Sequence, residues 1–349
     1  MSLSRVSEPS RLALVAAFAA IYLVWGSTYL AIRIAIESLP PFAMAGGRFI
    51  IAGAALYAWA RWRGAAKPSA AHWKSALILG AFLLLGGNGA VVWSEKTVPS
   101  GVVALLVASV PLWMVLINWV RRGGVRPTSS ECIGLVMGFA GVSILFNPRP
   151  ISGESLNFLG AGVVVLGSLS WAIGSIWSQH ARMPASPLLF AGMEMLAGGI
   201  LLSVAGVVTG EWRQMDTWHF SLSSCLALLY LAVFGSIIAF SAYTWLLTVT
   251  SAAKVSTYAY VNPVVAVLLG FLVKKEPVGS WTIAAMAIIV TGVVFITRGR
   301  RSAAATVTDQ TVETAPVAEC GLDILPCHSD ETETEECGAE RAVVSWKVE

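Results

Sequence analysis

The stretch AGGRFIIAGAAL, residues Ala45–Leu56, returns without a gap as AGMEMLAGGILL, residues Ala191–Leu202. At the centre of each copy lies one ionisable residue, Arg48 in the first and Glu194 in the second. Both copies lie inside apolar runs of about 20 residues, the length that spans the hydrocarbon core of a bilayer. A charge at that depth costs at least about 2.5–3.5 kcal/mol, so both residues are candidates for a functional site.

The composition is that of a membrane protein with many crossings. Hydrophobic residues make up 56% of the chain and charged residues 12%, whereas a soluble chain carries about a quarter charged residues. Lipid offers the backbone no hydrogen-bond partner, so each apolar run has to be helical. We predict an all-α polytopic membrane protein with ten transmembrane helices and the lipid bilayer as its surroundings.

The repeat extends beyond the opening stretch. The same offset aligns Trp25 with Trp171, and a second block aligns 93–113 with 245–265, which places Pro111 on Pro263. Each half then holds five helices, and an odd number inverts the second half relative to the first. Inverted-topology repeats around a central cavity are the build of many secondary transporters, with the site near the midplane.

The repeat and the composition divide the chain into four segments. Residues after Arg301 are polar and acidic, which is typical of disorder. Lys and Arg are more frequent at the flanks that face the cytoplasm when both termini lie inside. The predicted segments are a cytoplasmic N-terminus (1–11), a first repeat (12–147), a second repeat (158–297) and a disordered acidic cytoplasmic tail (302–349).

Five motifs together resemble the EamA-type drug/metabolite transporters. The family implies two EamA repeats of five helices, an inner (plasma) membrane location and efflux of metabolites or drugs. Relatives often carry an acidic residue after the fourth helix, where this chain has Val125, whereas the second half keeps Glu276. The motifs are YLVWGSTYLAIRIAIESLPPFAMAGGRF (22–49), GGNGAVVWSEKTVPSG (86–101), SLSWAIGSIWS (168–178), FGSIIAFSAYTWLL (234–247) and STYAYVNPVVAVLLG (256–270).

Arg48 and Glu194 are the leading candidates for substrate contacts. Counted from the ends of their helices, their depths in the bilayer differ by about 10 Å. Arg48 suits a carboxylate or another anionic group, because its guanidinium is a planar fork of donors. Glu194 suits an ammonium group and is the candidate for proton coupling, since burial favours a neutral carboxyl. The alternative is that both residues are structural and fix the packing of helices.

Aromatic and amide side chains supply the other candidates for the substrate cavity. Aromatic rings facing the centre suit amphipathic cargo and the cation–π capture of an amine. The alternative for each tryptophan is packing between helices or against lipid. Buried amides need partners, so they either join helices or bond to cargo. These candidates are Trp25, Asn88, Trp171, Tyr258 and Asn262.

Pro111 and Pro263 are candidate hinges, because each proline frees a backbone carbonyl one turn earlier. The alternative is a simple kink. Glu95 and Lys96 follow the third helix, so we expect both at the outer mouth in contact with water.

Two other classes of function compete with a secondary transporter. An intramembrane enzyme needs a nucleophile with a base or a set of metal ligands, and the sequence has no H-E-x-x-H, P-loop or G-x-S-x-G motif. A passive channel needs polar stripes and rings of charge. We therefore predict a non-enzymatic exporter of amino acids, other amphipathic metabolites or drugs. It has no cofactor, metal or nucleic-acid partner, and is a monomer with a dimer left open.

Overall fold

The computed structural model describes residues 10–121, 124, 126–145, 157–213, 220–250, 255 and 257–313. The chain divides into two units, Met1–Val307 and Thr308–Glu349. Most of the predicted N-terminal segment (1–11) and of the predicted acidic tail (302–349) lies outside the described residues, as does Val125.

The described residues fold into helical runs, which confirms the prediction of an all-α membrane protein. A run that is interrupted by a π-helical or turn segment is given by its outer bounds. The runs are α1 (Arg11–Ala35), α2 (Pro41–Trp62), α3 (Ala70–Ser94), α4 (Ser100–Val120), α5 (Ser129–Leu145), α6 (Phe158–His180), α7 (Pro187–Val208), α8 (222–249), α9 (Tyr258–Lys274) and α10 (Ser280–Glu313).

Eight helices of the described part are long and apolar enough to cross a membrane. The two shorter ones are α5 and α9, each with 17 residues. At 1.5 Å per residue such a helix is about 25 Å long, slightly less than the thickness of the hydrocarbon core. The count of ten crossings therefore stays a prediction.

The two copies of the opening stretch form α2 and α7, which start in the same way. Pro41 and Pro187 occupy the first turns of their helices, where a proline loses no helical hydrogen bond. Ser186 caps α7 by accepting a hydrogen bond from the backbone N–H of Leu189 at 3.3 Å. The alignment of Pro41 with Pro187 thus corresponds to two equivalent helix starts.

Helices α2 and α7 pack against each other through the glycines of the repeat. A Cβ atom on Gly46 would lie 3.0 Å from the carbonyl oxygen of Gly199, and one on Gly53 would lie 2.8 Å from that of Gly192. The first glycine of each copy therefore faces the second glycine of the other copy. This pairing makes the two helices antiparallel and brings their backbones into direct contact.

Three helices contain segments of π-helix, which occur most often at functional sites. They are Ala20–Val24 in α1, Gly80–Asn88 in α3 and Leu231–Ile238 in α8. The segments of α3 and α8 lie at equivalent positions of the two halves, each a few residues before the aligned tryptophans Trp93 and Trp245. In the third helix of each half, part of the backbone therefore forms hydrogen bonds between residues five apart instead of four.

Polar contacts join helices of the two halves at one end, which we call the outer end after its predicted orientation. The carboxylate of Glu211 accepts hydrogen bonds from the backbone N–H groups of Phe42 (3.2 Å) and Ala43 (3.0 Å) at the start of α2. The Glu276 carboxylate likewise accepts from the N–H groups of Ser100 (3.0 Å) and Gly101 (3.2 Å) at the start of α4. A carboxylate suits a helix N-terminus, because both the free N–H groups and the helix dipole attract negative charge.

Candidate functional site

Three aromatic rings from three helices form one cluster. The ring of Trp25 in α1 lies 5.2 Å from that of Tyr243 in α8 and 5.1 Å from that of Tyr258 in α9, measured between centroids. The two tyrosine rings lie 6.2 Å apart. Two of the three contacts are edge-on, an arrangement that aromatic pairs favour. Helices of both halves therefore meet at one aromatic wall.

The π-helical segment of α8 connects this aromatic cluster to Arg48. The indole N–H of Trp25 donates to the carbonyl oxygen of Gly235 at 3.1 Å. At the next residue, the Ser236 hydroxyl accepts a hydrogen bond from Nε of Arg48 at 2.9 Å. Arg48 is 5% exposed, and its Nη1 atom is buried without a hydrogen-bond partner. The guanidinium thus keeps a free donor at a buried position.

Glu194 lies in α7, the helix that packs against α2, and is near the aromatic cluster. It is 7% exposed and interacts electrostatically with Tyr243. No ion pair joins it to Arg48, although both residues lie in the described part of the chain. The two ionisable side chains of the repeat are therefore not paired with each other in the described part of the chain.

The register of α2 on α7 sets the separation of these two charges. Because Gly46 faces Gly199 and Gly53 faces Gly192, the backbones at Arg48 and Glu194 are offset by about 4.5 Å along the axis, less than the 10 Å expected from the helix ends. Arg48 nevertheless bonds to Ser236 of α8, whereas Glu194 acts electrostatically on Tyr243 of the same helix. Ser236 and Tyr243 lie about 10 Å apart along that helix.

Asn262 joins α9 to α1 next to the aromatic cluster. With its amide nitrogen oriented toward them, it donates to the main-chain carbonyls of Tyr258 (3.2 Å) and Tyr22 (3.1 Å). The hydroxyl of Tyr22 also lies 2.5 Å from that of Thr257. In this orientation the amide of Asn262 joins α9 to α1, and its role toward cargo stays a prediction.

Trp171 and Asn88 lie apart from this cluster. A Cβ atom on Gly87 would lie 2.6 Å from the ring of Trp171, so the indole covers the π-helical segment of α3. The neighbouring Asn88 has a buried Oδ1 atom without a hydrogen-bond partner. Each half thus places the tryptophan of its first helix on the third helix of the other half, Trp25 on α8 and Trp171 on α3.

The two aligned prolines occupy different positions in their helices. Helix α4 is interrupted at Ala108 and Ser109 and restarts at Val110, so Pro111 lies in the first turn of the second segment. Pro263 lies inside α9. Only Pro111 follows an interruption of its helix, and the role of both prolines as hinges stays a prediction.

Glu95 corrects one expectation from the sequence. It was expected in water at the outer mouth, but it is 0% exposed, whereas Lys96 is exposed as expected. Counting residues places Glu95 at the end of α3, and the packing of neighbouring helix ends then covers it. The sequence carries one sign of this burial, because the repeat aligns Glu95 with Leu247, an apolar residue.

Sequence reasoning also missed the contribution of α8. Tyr243 and Ser236 both contact predicted site residues, and both lie in the motif FGSIIAFSAYTWLL (234–247). Neither carries a charge or a repeat signal of its own. Their role follows from the packing of α8 against α1 and α2.

A groove of about 430 Å³ lies elsewhere, between α3 and α6. It is mainly apolar, and Phe42, Trp93 and Ser170 contribute to its lining. None of the predicted cavity residues lines it. Within the described ranges, no group of three or more His, Cys, Asp or Glu side chains could hold a metal ion.

Comparisons with known proteins match most of the chain. The model of the EamA-like transporter family matches residues 11–147 and 158–298. The "Uncharacterized inner membrane transporter YedA" of Escherichia coli K12 is 41% identical over 290 residues, which cover 83% of this chain and 92% of the relative. The "Uncharacterized transporter sll0355" of Synechocystis is 25% identical over 282 residues, 74% of this chain and 82% of the relative.

A solved structure described as "Crystal structure of protein" resembles this one with a TM-score of 0.55. The match covers 87% of this chain and 100% of that chain at 22% sequence identity. At that identity the likeness concerns the fold alone.

Proposed function

Because the chain belongs to the EamA-like transporter family, as its motifs predict, we propose that it is a secondary transporter that exports small amphipathic metabolites or drugs. The cargo class includes amino acids and other molecules that combine an apolar body with a charged group. The membrane is the inner membrane, in which the named relative YedA is placed by its description. Both termini lie on the cytoplasmic side.

The observation that carries the proposal is the pair of buried ionisable residues at equivalent positions of α2 and α7. Arg48 has a buried donor without a partner, and Glu194 is buried without an ion pair to Arg48. Arg48 is satisfied only in part, by Ser236 and by the ring of Phe49, whose centroid lies 4.6 Å from Cζ. Ionisable groups that are incompletely satisfied inside a membrane are candidates for a functional site. A carboxylate on the cargo would satisfy Arg48, and an ammonium group would satisfy Glu194.

The aromatic cluster supplies the apolar part of the site. Trp25, Tyr243 and Tyr258 form this cluster beside α8. Trp25 also donates to Gly235, the residue before the serine that binds Arg48. An aromatic wall binds the apolar body of a cargo and attracts an amine through cation–π contacts. This arrangement favours a zwitterionic or cationic amphipath over a sugar.

The antiparallel packing of α2 and α7 supports two inverted five-helix repeats. Gly46 faces Gly199 and Gly53 faces Gly192, so a two-fold rotation that exchanges the copies reproduces the contact. The exchange of tryptophans between α8 and α3 follows the same relation. In such folds one repeat rocks against the other and exposes a midplane site to each side in turn.

Glu194 is the proposed coupling residue of this cycle. A carboxyl group that is buried in a low-dielectric site binds a proton more readily than one in water. Entry of a cationic cargo would displace that proton, and its return would release the cargo. Proton and cargo then compete for one carboxyl group, which couples export to proton entry.

The test begins with a growth screen over several classes of compound. Cells that overproduce the protein are grown with toxic concentrations of amino acids, their analogues and cationic drugs, and compounds that become less toxic are retained. Each is then tested in proteoliposomes for saturable counterflow, in which unlabelled cargo inside drives uptake of labelled cargo. A carrier shows counterflow, whereas a passive channel or an enzyme does not.

Failure of every retained compound to show counterflow would contradict the proposal, provided that the reconstituted protein is folded. Product formation from a retained compound would instead favour the intramembrane enzyme. Uptake that rises linearly with concentration and shows no counterflow would favour the channel.

A further inference from the structure

Glu95 is a buried carboxyl group that the proposed transport site does not use. It follows the last residue of α3 and is 0% exposed. Both of its carboxylate oxygens are buried without a hydrogen-bond partner. Its backbone N–H donates to the carbonyl of Val91 at 3.0 Å, so the main chain is satisfied while the side chain is not.

The charged neighbours of Glu95 are committed to other groups. Arg33 at the end of α1 donates through Nη1 to the main-chain carbonyl of Glu95 rather than to its carboxylate. The carboxylate of Glu276 is held by the start of α4, where the hydroxyl of Ser100 donates to it at 3.0 Å. The charged groups that act electrostatically on Glu95 are Glu276 and Arg33. Glu95 itself acts electrostatically on the phenol of Tyr29 in α1.

These surroundings favour the neutral form of the carboxyl group. An ionised carboxylate without hydrogen bonds or an ion partner is strongly disfavoured in a dry site. Burial raises the pKa of Glu95 well above its usual value, the negative charge of Glu276 raises it further, and the positive charge of Arg33 opposes both. These surroundings therefore favour the carboxylic acid over the carboxylate in this conformation.

Three contacts join helix ends at the outer end, where Glu95 is buried. Arg33 joins α1 to the end of α3, an ion pair between Lys274 and Glu37 joins α9 to α1, and Glu276 joins the segment after α9 to α4. If these helix ends separate, water reaches the carboxyl group and hydrates its ionised form. Closure and proton binding are then linked.

We propose that Glu95 is a proton-binding site of the outer end, which binds one proton when this end closes and releases it when the end opens. The balance is simple, because a carboxylate and a proton from the outer medium become one carboxylic acid. The inference rests on the proposed function, since alternating access supplies the opening and closing. It assigns a proton site distinct from Glu194, in the part of the protein that faces the outer medium.

Linkage gives the direction of the pH effect. The group binds its proton more tightly in the closed form, so low pH stabilises closure. The stabilisation is complete below the ordinary pKa of an exposed glutamate and is lost as the pH rises through the raised pKa of the closed form. Between these limits the ratio of closed to open protein falls by at most about tenfold per pH unit.

The first test measures the proton directly, in the full-length protein in lipid nanodiscs and without any cargo. Infrared difference spectra between acidic and alkaline samples report the C=O stretch of protonated carboxyl groups. We expect a titrating band that is lost in Glu95→Gln and kept in Glu313→Gln, a control glutamate at the end of α10. A spectrum that Glu95→Gln leaves unchanged would overturn the proposal.

The second test measures closure. Spin labels at Lys96→Cys and Leu272→Cys, both exposed positions near the outer end, report the distance between the ends of α3 and α9 after the five native cysteines are replaced by serine. We expect a shorter-distance population that grows at low pH in the wild type and in Glu313→Gln, which leaves the contacts named above intact. Glu95→Gln, which is neutral at every pH, should show one distribution at all pH values, and a persistent pH response in it would contradict the link.

A further variant keeps the test decisive if Glu95→Gln does not fold. Glu276→Gln removes the neighbouring negative charge while Glu95 remains, so the midpoint of the infrared band should move to lower pH. An unchanged midpoint would contradict the assigned neighbourhood. Because neither readout needs cargo, a protonated Glu95 in a protein without counterflow would overturn the transport proposal and leave the proton site standing.

Discussion

Gly53 of α2 faces Gly192 of α7 so closely that a Cβ atom on Gly53 would lie 2.8 Å from the carbonyl oxygen of Gly192. Both glycines belong to the repeated stretch, and Gly46 and Gly199 form the equivalent contact. Small residues that let helix backbones approach are a common basis of helix association in membranes. The contact fixes the register that positions Arg48 and Glu194.

This contact predicts the effect of adding one methyl group. Gly53→Ala should destabilise the protein by about 1–3 kcal/mol, because backbone atoms cannot yield as a flexible side chain can. The matched control is Gly47→Ala in the same helix, since a Cβ atom there would meet nothing within 4 Å. Thermal unfolding in one detergent checks both. Equal midpoints for the two variants would contradict the close approach of α2 and α7.

A substitution of Glu194 tests the proposed coupling residue. Glu194→Gln should retain normal abundance in the membrane, because the amide has the same shape and no ion pair to Arg48 is broken. It should lose proton-driven export of a cargo identified in the screen, since glutamine cannot exchange a proton. Export is measured together with abundance, and Glu313→Gln at the end of α10 is the control. Normal export at normal abundance would remove Glu194 from the mechanism.

Arg48 should determine the affinity for anionic groups on the cargo. Arg48→Gln removes a charge-assisted hydrogen bond of about 1.5–3 kcal/mol, so the KM for a carboxylate-bearing cargo should rise about ten- to hundredfold. The KM of Arg48→Lys should lie between those of the wild type and Arg48→Gln, because an ammonium group keeps the charge but not the planar fork of donors. Arg61→Gln, an exposed position of the same helix, is the control. A KM unchanged in Arg48→Gln would favour a structural role.

The two tryptophans of the repeat should differ in their contributions. Trp25→Phe removes the hydrogen bond to Gly235 and weakens the aromatic wall, so affinity for a cationic cargo should fall by about two- to thirtyfold. Trp171→Phe alters a side chain that covers α3, apart from the aromatic cluster, and should change affinity less. Counterflow at several cargo concentrations measures both. A larger loss in Trp171→Phe would place the cargo site at α3 instead.

The repeat made part of this architecture predictable from sequence. Arg48 and Glu194 were identified because a charge inside an apolar run stands out, and the alignment of Pro41 with Pro187 corresponds to two helix starts. The resemblance to the family is confirmed by the family model and by YedA. The roles of the individual site residues remain predictions.

Other features depend on packing that local sequence does not encode. The π-helical segments of α3 and α8 are made of the same mainly apolar and small residue types as the regular helices, so their composition does not predict their wider hydrogen bonding. Trp25 and Trp171 each cover the third helix of the other half, a contact between the two halves that neither local sequence encodes. The burial of Glu95 arises from helix ends that are distant in the chain.

The central claim is that two halves of opposite orientation enclose the site, and the membrane topology tests it most directly. Single cysteines at Ser10 and Gln310 are probed with a thiol reagent that does not cross the membrane, in intact and in opened cells, with Lys96→Cys as the outer marker. We expect the cysteines at positions 10 and 310 to react only after the cells are opened, whereas the cysteine at position 96 reacts in intact cells. Reaction of Ser10 and Gln310 from opposite faces would contradict an even number of crossings, and with it the pair of inverted repeats.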